Sequence, residues 1–324
     1  MKPFLHLDVP PKIVDSCFCE PFQSTSTSAV LLSAREAAAW NERTKRGNEP
    51  YICENSLIFA SPKPPGARFC VPPTKNPQVM NPEIRVHSYE SMGTFDGPGL
   101  RYVVFLQGCP FRCQYCANPD TIDAVGESKL TNPDYIVEQA VSMKPFFGKR
   151  GGITFSGGEP TVQAEALVPL FKRLKEAGIH ICVDSNGGIW NRHVEELFRL
   201  TDLVLLDVKE INPERHQFIT ERPNTQTLKT AQWLEENERP FRLRYVLVPG
   251  LSDFEEDLHA LGQHFKDYKQ IERVELLPYH RLGVHKYEAL GWDYKLKDVK
   301  ENTPEQLERA GQILRTYFPQ LVIN

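Results

Sequence analysis

From residue 85 onward, short apolar runs alternate with longer segments in which apolar residues recur every three or four positions. The first pattern is that of strands and the second that of helices packed on one face. It predicts strands at Arg101–Gly108, Gly152–Ser156, His180–Asp184, Asp202–Val208, Phe241–Val248 and Arg273–Leu277. Between and after them it predicts helices at Pro133–Lys144, Thr161–Ala177, Asn191–Leu200, Pro213–Ile219, Thr225–Asn237, Ser252–Phe265 and Pro304–Phe318. Asn132 before Pro133 reads as an N-cap, and Gly178 as a stop. Near-continuous apolar strands mean a parallel sheet covered on both faces or closed into a barrel. Ligands in such folds gather at the carboxyl ends of the strands. There the chain places its polar punctuation: a cysteine loop, Gly157-Gly158-Glu159, Asp184-Ser185-Asn186-Gly187, Asp207-Val208-Lys209, Pro249-Gly250 and Pro278-Tyr279-His280.

Residues 1–84 break the pattern. They hold 12 of the 26 prolines, and only Ser28–Thr44 reads as helical. We expect an extension of low or partial order at 1–84 and one catalytic domain at 85–324. The Ser/Thr/Ala-rich run Ser24–Ala39 suggests an organelle transit sequence, but nine Lys/Arg against eight Asp/Glu is too acidic for a good match. The expected compartment is the cytoplasm, with a mitochondrion or plastid as the alternative.

Composition narrows this only a little. With 324 residues, 40% hydrophobic and 25% charged, the chain can bury a sizeable core. A net charge of -4 argues against a broad nucleic-acid or anionic-membrane surface. No apolar run reaches transmembrane length. The cysteines stand at 17, 19, 53, 70, 109, 113, 116 and 182. A disulfide framework is not expected in a chain this long, so a reducing compartment follows. Cys182, inside a strand, reads as a small buried apolar residue. The cysteines of the extension form no recognisable cluster motif.

Cys109, Cys113 and Cys116 change the picture. Thiolates suit both zinc and iron–sulfur sites. A structural zinc site commonly pairs two separated knuckles, whereas here one compact triplet stands without a second Cys/His pair. Three thiolates favour a [4Fe–4S] cubane in which one iron has no protein ligand, a Lewis-acid position able to chelate a small molecule. The other candidates each keep a plain alternative. Gly157-Gly158 allows close approach to a ligand or makes a tight turn. Asp184 and Asp207 end adjacent strands, as a cation or cofactor site or as caps. Lys209, at i+2 from Asp207, can point to the same side or be a solvated strand end. His280 follows an apolar strand and is a site residue or a structural histidine. Asp96 reads as a residue of a Gly-Pro-Gly turn. Trp190, Trp233 and Trp292 read as packing residues.

The stretch from Asp96-Gly97-Pro98-Gly99-Leu100-Arg101 through Cys109-Pro110-Phe111-Arg112-Cys113-Gln114-Tyr115-Cys116-Ala117-Asn118 resembles the signature of the glycyl-radical-enzyme activases of the radical S-adenosylmethionine superfamily. The later blocks, Ser156-Gly157-Gly158-Glu159 to Leu276-Leu277-Pro278-Tyr279-His280, follow in the same order over about residues 85–324. The resemblance implies an α/β fold, a partial (β/α)6 TIM-like barrel open on one side. It implies one [4Fe–4S] cluster on Cys109, Cys113 and Cys116, and S-adenosylmethionine chelated to the open iron. One electron cleaves the cofactor to methionine and a 5′-deoxyadenosyl radical, which takes a hydrogen from a glycine of a partner enzyme.

Carried over by motif, Tyr115, Gly158, Glu159, Asp184, Ser185, Asp207, Val208, Lys209 and His280 would surround the cofactor. A monovalent cation would sit near Asp184 and Asp207, while Asp96 and Arg101 would face the partner's peptide. The absence of cysteine between 117 and 151 matches the single-cluster type, whose partner is pyruvate formate-lyase (formate C-acetyltransferase); a different glycyl radical enzyme is the alternative. The expected electron donor is reduced flavodoxin or ferredoxin, and the expected state a monomer without nucleic acid or membrane. Ala117 departs from relatives that carry His there, without removing a cluster ligand.

Overall fold

Three helices begin at prolines behind a polar cap. In α1 (Pro133–Phe147) the Asn132 side chain accepts from the Asp134 amide at 2.9 Å. Asn212 caps α4 (Pro213–Thr220) in the same way, and Thr303 closes a capping box with Gln306 at α8 (Pro304–Arg315). The remaining helices are α2 (Ala164–Glu176), α3 (Arg192–Leu200), α5 (Thr225–Glu236), α6 (Glu255–Phe265) and α7 (Val284–Leu290).

The six predicted strands are present as β2 (Arg101–Leu106), β4 (Gly152–Gly157), β5 (Ile181–Ser185), β6 (Leu203–Asp207), β7 (Phe241–Leu247) and β8 (Ile271–Pro278). All are parallel neighbours in that order. Three further strands were not expected. β1 (Ile84–Gly93) pairs antiparallel with β2, β3 (Lys129–Thr131) antiparallel with β1, and β9 (Leu321–Ile323) parallel with β8. The sheet ends at β3 and β9, so the expected open (β/α)6 arrangement holds with additions at both edges. The computed structural model describes residues 83–324, within one compact unit that spans Val79–Asn324. The expected helix at Ser28–Thr44 and Cys17, Cys19, Cys53 and Cys70 lie outside the described residues. Ile84, assigned to the extension, is fully buried and opens β1.

The strands have two chemically different faces. Ile153, Phe155, Ile181, Val183, Leu206, Leu243 and Leu276 pack outward into one continuous core with the helices. Between them, Ser156, Asp184, Asp207 and Arg244 point the other way and line a cavity. Register puts Asp207 beside Arg244 and Arg244 beside Glu275, so charges from three strands meet inside the sheet. The runs read as continuously apolar are therefore alternating at their carboxyl ends.

Candidate active site

β2 ends at Leu106, and Gly108 turns the chain with φ of +99° into the cysteine loop. Main-chain bonds hold this loop on both sides. The amides of Gly108 and Cys109 donate to the carbonyls of Thr121 and Ile122 at 2.8 and 2.9 Å. The amides of Arg112 and Gln114 donate to Thr220 and Ile219, at the end of α4, at 2.9 and 3.0 Å. On α7, Lys286 reaches Asn118 Oδ1 at 2.9 Å and pins the outgoing end. Cys109, Cys113 and Cys116 all line one cavity of about 540 Å³. Burial pushes the Cys113 thiol up to about 12, and the Cys109 and Cys116 thiols are raised by the same cause. Binding metal there releases protons.

Four further groups close the cavity. Gly158 sits so tightly that a Cβ would overlap the Gly108 carbonyl oxygen, and its amide donates to Leu106 O at 2.8 Å. Asp184 accepts from Ser156 Oγ at 2.8 Å, and Asp207 from Lys209 Nζ at 2.8 Å. Arg244 stands between the two carboxylates, 3.1 Å from Asp184 Oδ1 and 3.7 Å from Asp207 Oδ1. These are ion-pair distances without hydrogen-bond alignment. Asp184 Oδ1 and Arg244 Nη1 thus keep unused capacity, as does the buried hydroxyl of Tyr115, among the described residues. Burial pushes Asp184 up against the pull of Arg244, whereas at Asp207 the pull of Lys209 and Arg244 outweighs burial and lowers the carboxyl. Burial also opposes the Lys209 charge, yet Asp207 holds the ammonium well above its ordinary range. His280, Ser185 and Asp96 complete the lining. Burial, then the charge of Asp184, raises the Asp96 carboxyl to about 6.

Eleven of the motif residues thus meet at one cavity: Asp96, Cys109, Cys113, Tyr115, Cys116, Gly158, Asp184, Ser185, Asp207, Lys209 and His280. Three do not. Glu159 is fully buried behind the wall, where Oε1 accepts from Thr161 and from Ser185 Oγ at 2.8 Å, and Oε2 accepts from the Asn186 amide at 2.7 Å. It ties β4 to the β5 loop. Val208 is buried, its amide bonded to Arg244 O. Arg101, expected to face a peptide, is fully buried at the start of β2 because its guanidinium is drawn inward to Thr154 and to the carbonyls of Ile153 and His180. Arg244, Ser156 and Asn186 were missed. Asn186 Nδ2 lies 3.7 Å from Cys109 Sγ. The three tryptophans pack against the hydrophobic clusters, as expected.

The model of the Radical SAM superfamily matches residues 103–261. The pyruvate formate-lyase-activating enzyme of Staphylococcus epidermidis is 46% identical over 232 residues, covering 69% of this chain and 92% of that relative. This chain belongs to the pyruvate formate-lyase-activating enzyme family. The Staphylococcus aureus member is 45% identical over the same length. The solved structure of Streptococcus suis SuiB with its precursor peptide SuiA aligns with a TM-score of 0.55 at 13% identity, covering 90% of this chain and 61% of that one, a likeness of fold alone. The Radical SAM superfamily works with a three-cysteine [4Fe–4S] cluster and S-adenosylmethionine, and these are the cofactors of this chain. The cavity fits them. It gathers three thiols, the backbone of Gly158, and buried polar atoms with unused capacity.

Proposed function

We propose that this chain activates pyruvate formate-lyase under anaerobic conditions by removing a hydrogen atom from a glycine of that partner. The observation that carries this reading is the meeting of three cysteines, Gly158, the Asp184–Arg244–Asp207 group and Asp96 in one cavity of a chain that covers 92% of an activating enzyme at 46% identity. A reduced cluster on Cys109, Cys113 and Cys116 would supply the one electron for cleaving the sulfur–C5′ bond of S-adenosylmethionine, giving methionine and, with the glycine hydrogen, 5′-deoxyadenosine.

The chain's own residues bind and orient. Cys109, Cys113 and Cys116 hold the cluster. The Gly158 backbone would approach the methionyl amino group, Lys209 would meet the methionyl carboxylate, and Asp184 and Asp207 would hold a monovalent cation beside it. Tyr115, Ser185 and His280 line the rest of the cofactor's cavity. Glu159 acts at one remove, holding Ser185 and Asn186, and Val208 supplies backbone only. Asp96 accepts N–H groups of the partner's extended peptide. Reduced flavodoxin or ferredoxin supplies the electron to a monomeric enzyme of the cytoplasm. Among the described residues no helix is long and apolar enough to cross a membrane.

The test is anaerobic reconstitution with iron and sulfide, reduction, and addition of S-adenosylmethionine with pyruvate formate-lyase. A glycyl doublet by EPR, together with 5′-deoxyadenosine, is expected. A doublet only on another glycyl radical enzyme would move the partner assignment, and no cleavage of S-adenosylmethionine would sink the enzyme reading.

A further inference from the structure

Arg101 carries its charge in the interior and spends its donors on neutral acceptors. Nε donates to Thr154 Oγ1 at 2.9 Å, and Nη2 donates to the carbonyls of Ile153 and His180. Nη1 lies 3.3 Å from His180 Nδ1, 3.4 Å from Arg150 O and 3.5 Å from Pro98 O. These groups come from the loop before β2, the turn before β4, β4 itself and the residue before β5. A guanidinium suits such a place because its donors form a rigid fork, which an ammonium cannot copy.

One hydroxyl links that fork to the cavity. Thr154 Oγ1 accepts from Arg101 and donates to the main-chain carbonyl of Asp96 at 2.7 Å. A hydroxyl has one proton, so with Arg101 on a lone pair that proton is free for Asp96. The loop it grips is soft by composition, with Gly97 at φ +129° and Gly99 at φ +71°. Neither Arg101 nor Thr154 lines the cavity, but Asp96 does.

We propose that Arg101 and Thr154 are positioning residues, a relay from guanidinium to hydroxyl to the Asp96 carbonyl that presents the Asp96 carboxylate to the partner's glycine segment. This rests on the reading of Asp96 as the peptide-facing residue. The relay lies beside Cys182 on β5 but touches none of the three cluster cysteines and neither carboxylate of the Asp184–Asp207 pair. Its loss should therefore weaken peptide binding and leave cofactor cleavage alone.

The experiment uses the full chain with its cluster and a fluorescent peptide spanning the radical glycine of pyruvate formate-lyase. Thr154→Val keeps the shape and removes the hydroxyl. It is expected to raise both the peptide's Kd by anisotropy and its KM about tenfold, equivalent to about 1.4 kcal/mol, while Thr154→Ser stays within about twofold of wild type. The KM for S-adenosylmethionine and cleavage without peptide should not move, so more cofactor is consumed per glycyl radical. Unchanged peptide affinity in Thr154→Val overturns the relay, and so does an equal rise in the KM for the cofactor, which marks general damage. If Thr154→Val fails to load its cluster, Thr154→Ala replaces it with the same criteria. Wild-type protein that binds no peptide overturns the reading of Asp96 and the relay with it; wild-type binding with an indifferent Thr154→Val overturns the relay alone.

Discussion

The two loops that flank β2 serve one cavity but are held by different means. The cysteine loop after the strand is laced by main-chain bonds to Thr121, Ile122, Ile219 and Thr220. The Asp96 loop before it is gripped by two buried side chains, Thr154 and Arg101. Main-chain lacing tolerates exchange of most side chains around the ligands, because the bonds do not depend on residue type. A side-chain grip concentrates the same task in two positions, and either is expensive to lose. The first loop should thus fail chiefly at its ligand residues, whereas the second should fail through residues that touch no ligand.

The largest effect breaks the first loop at its chemistry. Cys109→Ala, Cys113→Ala or Cys116→Ala should abolish both 5′-deoxyadenosine formation and the glycyl doublet, measured after anaerobic reconstitution. Retained cleavage in any one of them would show that the ligands are misassigned. Next comes the wall behind that loop. Gly158→Ala drives a methyl into the Gly108 carbonyl, and the overpacking should cost about 1–3 kcal/mol in denaturant unfolding of the cluster-free chain.

On the other side of β2, Arg101→Lys replaces a fork by a point charge and should cost about 2 kcal/mol in denaturant unfolding of the cluster-free chain. A loss under about 0.5 kcal/mol would mean that the fork is not what holds the second loop. Asp96 itself carries a pH signature. Its carboxyl is raised from 3.8 to about 6 by burial, then by Asp184. Between these values the folded chain keeps a proton that the unfolded chain has lost, so this group makes stability fall as pH rises through the window. Asp96→Asn should flatten that decline, compared by unfolding on either side of it, and should raise the peptide KM about tenfold. The smallest effect is expected at Gln114, whose side chain donates to Phe218 O from an exposed position. Gln114→Ala should change stability by no more than about 0.5 kcal/mol, because the neighbouring main-chain bond to Ile219 remains.

The same contrast explains what could be read beforehand. Strands such as Leu203–Asp207 were legible because their residues are apolar up to the last position, and helix starts at Asn132-Pro133, Asn212-Pro213 and Thr303-Pro304 because cap and proline are local signals. β1 escaped because much of its length is polar and half exposed, through Ser88, Glu90 and Ser91. β9 has three residues, and α7 has seven and no capping side chain. At the site, residues inside motifs were found, but their direction was not. Glu159 and Arg101 belong to recognisable motifs yet face inward, which depends on partners 26 to 79 positions away along the chain. Arg244 left a signal that went unused. Arg242 and Arg244, two apart in an otherwise apolar strand, must point to the same side, and a covered sheet can accept them only over a polar interior.

β2 gives these arrangements one more consequence. Its six residues pair with β1 on one side and β4 on the other. The strand is a strut between the Asp96 loop, proposed to meet the partner, and the cysteine loop, and each attachment is held by its own set of bonds. A lineage that changes its protein substrate can redraw the first attachment without retuning the second. The same separation makes residues 94–100 the place to graft when the chain is to be redirected to a new glycine-bearing target.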